Sequence, residues 1–125
     1  MQPKVLIVDD EPHIRLLIEQ ALEDLADEGV ELLLAADGEQ ALEIIRKENP
    51  HLIFLDDMMP KMNGFDVCQV VKDELGLQEI RVVMLTAKGQ ESNIDKGYEV
   101  GADIYMTKPF DPDELLATAR TFLSI

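Results

Sequence analysis

Short apolar runs alternate with amphipathic stretches along this chain, and that alternation limits its fold more than any other feature. Residues 5–8 (VLIV), 31–35 (ELLLA), 52–55 (LIFL), 81–85 (RVVML) and 102–106 (ADIYM) each have strand length. Between them, apolar side chains recur at spacings of three and four. Ile14, Leu17, Ile18, Ala21, Leu22 and Leu25 form one such set; Ala41, Ile44 and Ile45 a second; Val67, Val70, Val71 and Leu75 a third. Residues 90–100 predict a weaker, more polar fourth helix, and Leu115, Leu116, Ala119 and Leu123 a fifth. That spacing gives a helix one buried stripe. Gly29, Asn49-Pro50, Gly76 and Gly101 punctuate the pattern. Asp37, with Gln40 three residues on, predicts a capped second helix. Asp111 before Pro112 predicts the same for the fifth.

Five strand–helix units imply a parallel sheet covered on both faces. They are too few for an eight-fold barrel. The expected architecture is α/β: a flavodoxin-like, doubly wound (βα)5 three-layer sandwich with strand order 2-1-3-4-5. One domain is expected over residues 1–125, with no output domain inside it.

Charge narrows the function. Lys plus Arg number 11 against 26 Asp plus Glu, a net charge of −15. Direct nucleic-acid binding needs a basic patch, and anionic membranes attract basic segments, so neither is expected. Cations and basic protein surfaces suit this chain better. Its one cysteine, Cys68, excludes an internal disulfide and reads as a small buried hydrophobe. Residues 5–8 are too short for a signal-peptide core, and no run reaches membrane-spanning length. The cytoplasm is therefore the expected location.

What each strand delivers at its C-terminal end matters most. Strand one ends in Asp9-Asp10, strand three in Asp56, strand four in Thr86, and strand five leads to Lys108-Pro109. In the expected order, strands one and three flank the switch point where such sheets bind ligands. Three carboxylates then share one crevice. Two unit charges about 4 Å apart repel by roughly 4 kcal/mol at an effective dielectric near 20. Either one carboxyl takes up a proton or a cation sits among them. Oxygen-only donors select a hard ion such as Mg²⁺ or Mn²⁺. A carboxylate beside such an ion, with a lysine and a hydroxyl near, suits phosphoryl transfer to an Asp nucleophile. The plainer expectations are helix-capping acids at Asp9, Asp10 and Glu11 and a surface lysine at Lys108. Only Glu11 is assigned the plainer role.

Several motifs together are specific. They are Val8-Asp9-Asp10-Glu11, Asp37-Gly38-x-x-Ala41, Asp56-x-Met58-Met59-Pro60-x-x-x-Gly64, Leu85-Thr86-Ala87, Gly101-Ala102-Asp103 and Lys108-Pro109-Phe110. In this order and spacing the whole chain resembles the receiver domain of bacterial two-component response regulators. The resemblance implies that Asp56 accepts a phosphoryl group from a phosphohistidine on a sensor histidine kinase or histidine phosphotransfer protein. It implies a Mg²⁺ (or Mn²⁺) site on the side chains of Asp10 and Asp56, on Asp9 mainly through water, and on the Met58 carbonyl. Thr86, Lys108 and the Ala87 backbone N–H would hold the phosphoryl oxygens. Met58 and Lys88 occupy positions that tune dephosphorylation. On phosphorylation Thr86 is drawn to the acyl phosphate, and Tyr105 turns inward behind it. The surface of the fourth helix, fifth strand and fifth helix then changes for a downstream protein target or a fused output domain. The competing expectation for Tyr105 is a half-buried aromatic on an edge strand.

Asp57 departs from the pattern, because receivers usually carry an apolar residue there. Alternation turns Asp56 and Asp57 in opposite directions. The expected role of Asp57 is a solvated loop acid; the other readings are a stronger local negative field, altered metal affinity, or a contact with a partner. Two other functions compete overall. A Mg²⁺-dependent aspartyl-phosphate phosphatase of the haloacid-dehalogenase type wants a second acid two residues after the nucleophile, where this chain has Met58. A flavodoxin-like FMN binder wants a Ser/Thr/Gly-rich loop after strand one, where this chain has Asp9-Asp10-Glu11-Pro12.

Overall fold

The structure, a computed structural model, describes residues 2–87 and 94–125. Its elements are β1 (Lys4–Val8), α1 (Pro12–Ala21), α2 (Glu23–Asp27), β2 (Glu31–Ala35), α3 (Gly38–Glu48), β3 (Leu52–Asp56), α4 (Gly64–Gln69), β4 (Arg81–Thr86), α5 (Ile94–Glu99), β5 (Ile104–Thr107) and α6 (Pro112–Leu123). A π-helical turn, Val70–Glu74, extends α4. The five strands form one parallel sheet in the order β2-β1-β3-β4-β5. The fold is the flavodoxin-like sandwich that the alternation predicts.

Side-chain alternation builds two cores. Val5, Ile7, Phe54 and Leu85 pack toward α1, α2 and α6, against Ile18 and Leu115. Leu6, Val8, Leu55 and Met84 face the other way, against Ile45 and Val71. Central strands buried on both faces need continuous apolar runs rather than alternating ones, which is how residues 5–8 and 52–55 read. Each fully buried Leu, Ile or Phe contributes about 1.5–3 kcal/mol.

The caps follow the sequence closely. Asp37 Oδ1 accepts from the Gln40 N–H at 2.8 Å, and Gln40 Oε1 reaches back to the Ala36 N–H at 2.6 Å. Asp111 Oδ1 accepts from the Asp113 N–H at 2.9 Å, with Pro112 opening α6. Glu11 differs: it holds the N-cap position of α1 without a side-chain cap bond. Its own N–H instead donates to Asp9 Oδ1 at 3.0 Å.

Two helices differ from their prediction. The single first helix is broken at Leu22, whose N–H is shared between the Ile18 and Glu19 carbonyls at 3.1 and 3.2 Å. Leu22 and Leu25 stay buried on either side, so apolar spacing runs through the break unchanged. The third helix widens into its π turn, where Leu75 N–H donates to Val70 O at 2.8 Å. This turn includes Lys72, which is 5% exposed. Its Nζ donates to Ile80 O at 2.5 Å and lies 3.6 Å from Asp103. Of the predicted fourth helix, residues 94–99 are helical, and the part over residues 90–93 lies outside the described residues.

Candidate functional site

The site lies at the C-terminal edge of the sheet, where β1 meets β3. Val8 pairs with Leu55, so the next residues, Asp9 and Asp56, leave the two strands at the same level. Both are buried, while Asp10 is exposed at the head of α1. One carboxylate oxygen from each of Asp9, Asp10 and Asp56 lies within 4.8 Å of the others. Such a set of hard oxygen donors fits a divalent cation that keeps some of its waters.

Lys108 completes the cluster from β5. Its backbone N–H donates to Thr86 O at 2.7 Å, which carries the chain back over the end of β4. Its Nζ then lies 3.0 Å from Asp9 Oδ2 and 3.5 Å from Asp56 Oδ1. The surface-lysine expectation fails here. Burial works against the Lys108 charge, yet Asp56 and Asp9 outweigh it and hold the ammonium above its ordinary range. Among the described residues, one lysine faces these three acids. Burial first, and then the Asp9 carboxylate, push Asp56 up to about 7; Lys108 and the Met58 N–H, 3.3 Å from Asp56 Oδ1, pull the other way.

Gly64 shapes the floor. A Cβ there would sit 2.3 Å from Asp56 O and 2.9 Å from the Asp57 Cα. Only a residue without a side chain lets α4 start this close to the end of β3. The capping box of Asn63 with Asp66 fixes that start.

The structure thus brings Asp9, Asp10, Asp56 and Lys108 together. Met58 stands beside them with its side chain exposed. Thr86 is wholly buried at the end of β4, and Ala87 after it is exposed. Tyr105 is half-buried on the edge strand β5 and packs edge-on against Tyr98, with ring centroids 5.8 Å apart. Lys88 lies outside the described residues. Arg15 is a residue that sequence reasoning missed. Its Nη1 donates to Asp9 O at 2.6 Å and steadies the end of β1. A lone basic residue in the first turns of an otherwise acidic segment was the available signal.

Asp57 is the clear correction. It is 1% exposed, not a solvated loop acid. The β3–β4 ladder runs one residue further than the apolar pattern suggests, with the Asp57 N–H donating to Leu85 O at 2.9 Å. Gly64 N–H then donates to Asp57 O at 3.1 Å and closes the loop over it.

Comparison with known proteins agrees with this geometry. The family model described as "Response regulator receiver domain" matches residues 5–120. The chain belongs to the response regulator receiver domain family. It is 46% identical to a probable transcriptional regulator, ycf27, of Cyanophora paradoxa over 120 residues, covering 96% of this chain and 48% of that protein. It is 42% identical to the DNA-binding response regulator MtrA of Mycolicibacterium smegmatis, covering 98% of this chain and 51% of the other. The receiver therefore spans about half the length of these curated relatives. A crystal structure of a putative response regulator from Chloroflexus aurantiacus superimposes with a TM-score of 0.86 at 33% identity over the whole of both chains. The domain is a signalling switch of two-component systems, and its acidic cluster is able to hold a metal ion. Among the described residues no helix is long and apolar enough to cross a membrane.

Proposed function

We propose that Asp56 is the phosphoacceptor of this receiver and that the chain itself catalyses the transfer. The observation that carries this is a buried carboxylate with an ammonium 3.5 Å away and two further acids around it. An Asp56 carboxylate oxygen attacks phosphorus, the P–N bond of a phosphohistidine breaks, and the imidazole leaves with its electron pair and takes up a proton. Lys108 faces the oxygens that gain charge as this happens, joined by the Thr86 hydroxyl and the Ala87 N–H. Asp10 and Asp56, Asp9 mainly through water, and the Met58 carbonyl would hold Mg²⁺ or Mn²⁺. When bound, the ion supplies positive charge that neutralises the carboxylates and the transferring group.

The donor is a sensor histidine kinase or a histidine phosphotransfer protein in the cytoplasm. The response is carried by Thr86 and Tyr105 to the face formed by α5, β5 and α6, where a downstream protein or a fused output domain docks. Met58, exposed beside Asp56, and Lys88 set how fast water removes the phosphoryl group. The phosphatase alternative loses support because the position two after Asp56 is an exposed thioether with no proton to exchange. The FMN alternative loses support because buried Asp9 stands where a flavin phosphate would sit.

The test uses acetyl phosphate and intact-mass measurement. With Mg²⁺ the chain gains one labile phosphoryl group, and with a chelator it does not. Failure to gain the adduct from any small phosphodonor would contradict the proposal. Sustained turnover of p-nitrophenyl phosphate would point to the phosphatase instead.

A further inference from the structure

Met58 differs from the other described methionines. Its side chain is 54% exposed, whereas Met59, Met84 and Met106 are buried and Met62 is half-buried. Asp56 sets its position. The Met58 N–H donates to Asp56 Oδ1 at 3.3 Å, an Asx-turn that folds residue 58 back over the carboxylate it follows. The thioether therefore stands in solvent beside the phosphoacceptor. Such a sulfur is open to oxidants that do not reach the buried ones, because oxidation follows exposure. The one thiol does not compete. Cys68 is fully buried, and burial pushes it up to about 11, so it stays protonated and slow to react.

We propose that Met58 is a site of reversible oxidation by hydrogen peroxide, and that its sulfoxide shortens the life of the phosphoryl group on Asp56. This rests on the reading of Asp56 as phosphoacceptor and of Met58 as a residue that sets how fast water attacks the acyl phosphate. The sulfur gives an electron pair to one peroxide oxygen as the O–O bond breaks. An S–O bond forms, and the proton of the transferred oxygen passes to the departing hydroxide, which leaves as water. Sulfur is oxidised by two electrons and the peroxide is reduced. The change replaces a weak acceptor with a strongly dipolar one. A thioether gives a water beside the acyl phosphate no firm partner; a sulfoxide oxygen accepts from that water and holds it against phosphorus. The water oxygen attacks, the P–O bond to Asp56 breaks, and the water gives up a proton to solvent. Inorganic phosphate leaves and Asp56 is again a carboxylate. The Met58 backbone carbonyl is untouched, so phosphoryl acceptance persists while hydrolysis quickens. One neutral hydrogen bond to the attacking water is worth about two- to tenfold in rate. Sulfoxide reductases restore the thioether, one enzyme for each epimer, which makes the response reversible.

The chain is treated with graded hydrogen peroxide, and its methionines are mapped by tandem mass spectrometry. Met58 is oxidised first among the described methionines. Oxidised and untreated chains are then loaded with phosphoramidate and Mg²⁺, desalted to remove the donor, and followed by intact mass, which resolves an added oxygen and a phosphoryl group on one molecule. The adduct decays about two- to tenfold faster on the oxidised chain. Treatment with both classes of methionine sulfoxide reductase returns the slow decay. Met58→Leu removes the sulfur, and peroxide leaves the decay rate of this variant, whatever its own value, unchanged. Oxidation of Met59, Met62, Met84 or Met106 ahead of Met58, or equal decay on oxidised and untreated chains, overturns the proposal and leaves the phosphoacceptor reading intact. So does a peroxide effect that survives in Met58→Leu, or loss of the adduct on the oxidised chain alone. Absence of an adduct on the untreated chain overturns both.

Discussion

At the N-terminal edge of the sheet, charges are matched locally. Lys4 lies 2.9 Å from Glu48, Arg81 3.2 Å from Asp103, and the buried Lys72 3.6 Å from the same Asp103. Asp103 Oδ2 also accepts from the Val82 N–H at 2.7 Å, and Lys72 donates to two carbonyls of the loop before β4. At the C-terminal edge, among the described residues, three acids face one lysine, which leaves an excess of negative charge in the cluster. One edge is complete and holds the fold together. The other is left needing a cation or a proton, and that unmet need is what makes it reactive.

The contrast is open to direct attack. The largest expected effect is at the reactive edge. Lys108→Ala should slow adduct formation by about a hundredfold, the cost of removing one donor to developing charge. The variant should still unfold cooperatively in urea, because its edge was never electrostatically complete. Loss of folding would show that Lys108 belongs to the scaffold. At the paired edge the reverse holds. Lys72→Ala strips Ile80 O and Asp103 of a donor and should lower stability by about 2–4 kcal/mol in denaturant titrations, with the rate of adduct formation per folded molecule unchanged.

A smaller effect comes from pH. The folded Asp56 carboxyl is pushed up to about 7 from 3.8, so without metal the folded chain holds this proton more tightly than the unfolded chain. Its contribution to stability is full below about pH 4 and is lost as pH rises through about 7, an effect of about 1–3 kcal/mol. Comparing Asp56→Asn with the parent across this window isolates the slope, which the variant should lack. Mg²⁺ should stabilise the parent more at pH 7.5 than at pH 5. An equal effect at both would mean that the cluster is not the metal site. The smallest effect is expected at Arg120, paired with Glu28 on the surface. Arg120→Ala should leave the thermal midpoint within measurement scatter, as exposed pairs usually do.

Much of the fold and of the acidic cluster is legible in the sequence. Continuous apolar runs identify two-face-buried strands, and strand order follows from the alternation, so Asp9, Asp10, Asp56 and Lys108 could be gathered at one edge from their positions alone. What escaped depends on contacts that periodicity does not carry. The buried role of Lys72 leaves no mark in the sequence, because the carbonyls it reaches, Gln78 and Ile80, belong to a loop with no pattern of its own. The break at Leu22 and the π turn keep the apolar stripe intact and so leave no mark on it. The direction of Asp57 was readable from strand alternation. Its burial was not, because that depends on how closely Gly64 approaches the chain.

The central claim is that Asp56 and not its buried neighbour accepts the phosphoryl group. Intact mass after phosphoramidate and Mg²⁺ treatment of Asp56→Asn and Asp57→Asn tests it most directly. The adduct should vanish in Asp56→Asn and persist in Asp57→Asn. An adduct that persists in Asp56→Asn and vanishes in Asp57→Asn would contradict the account.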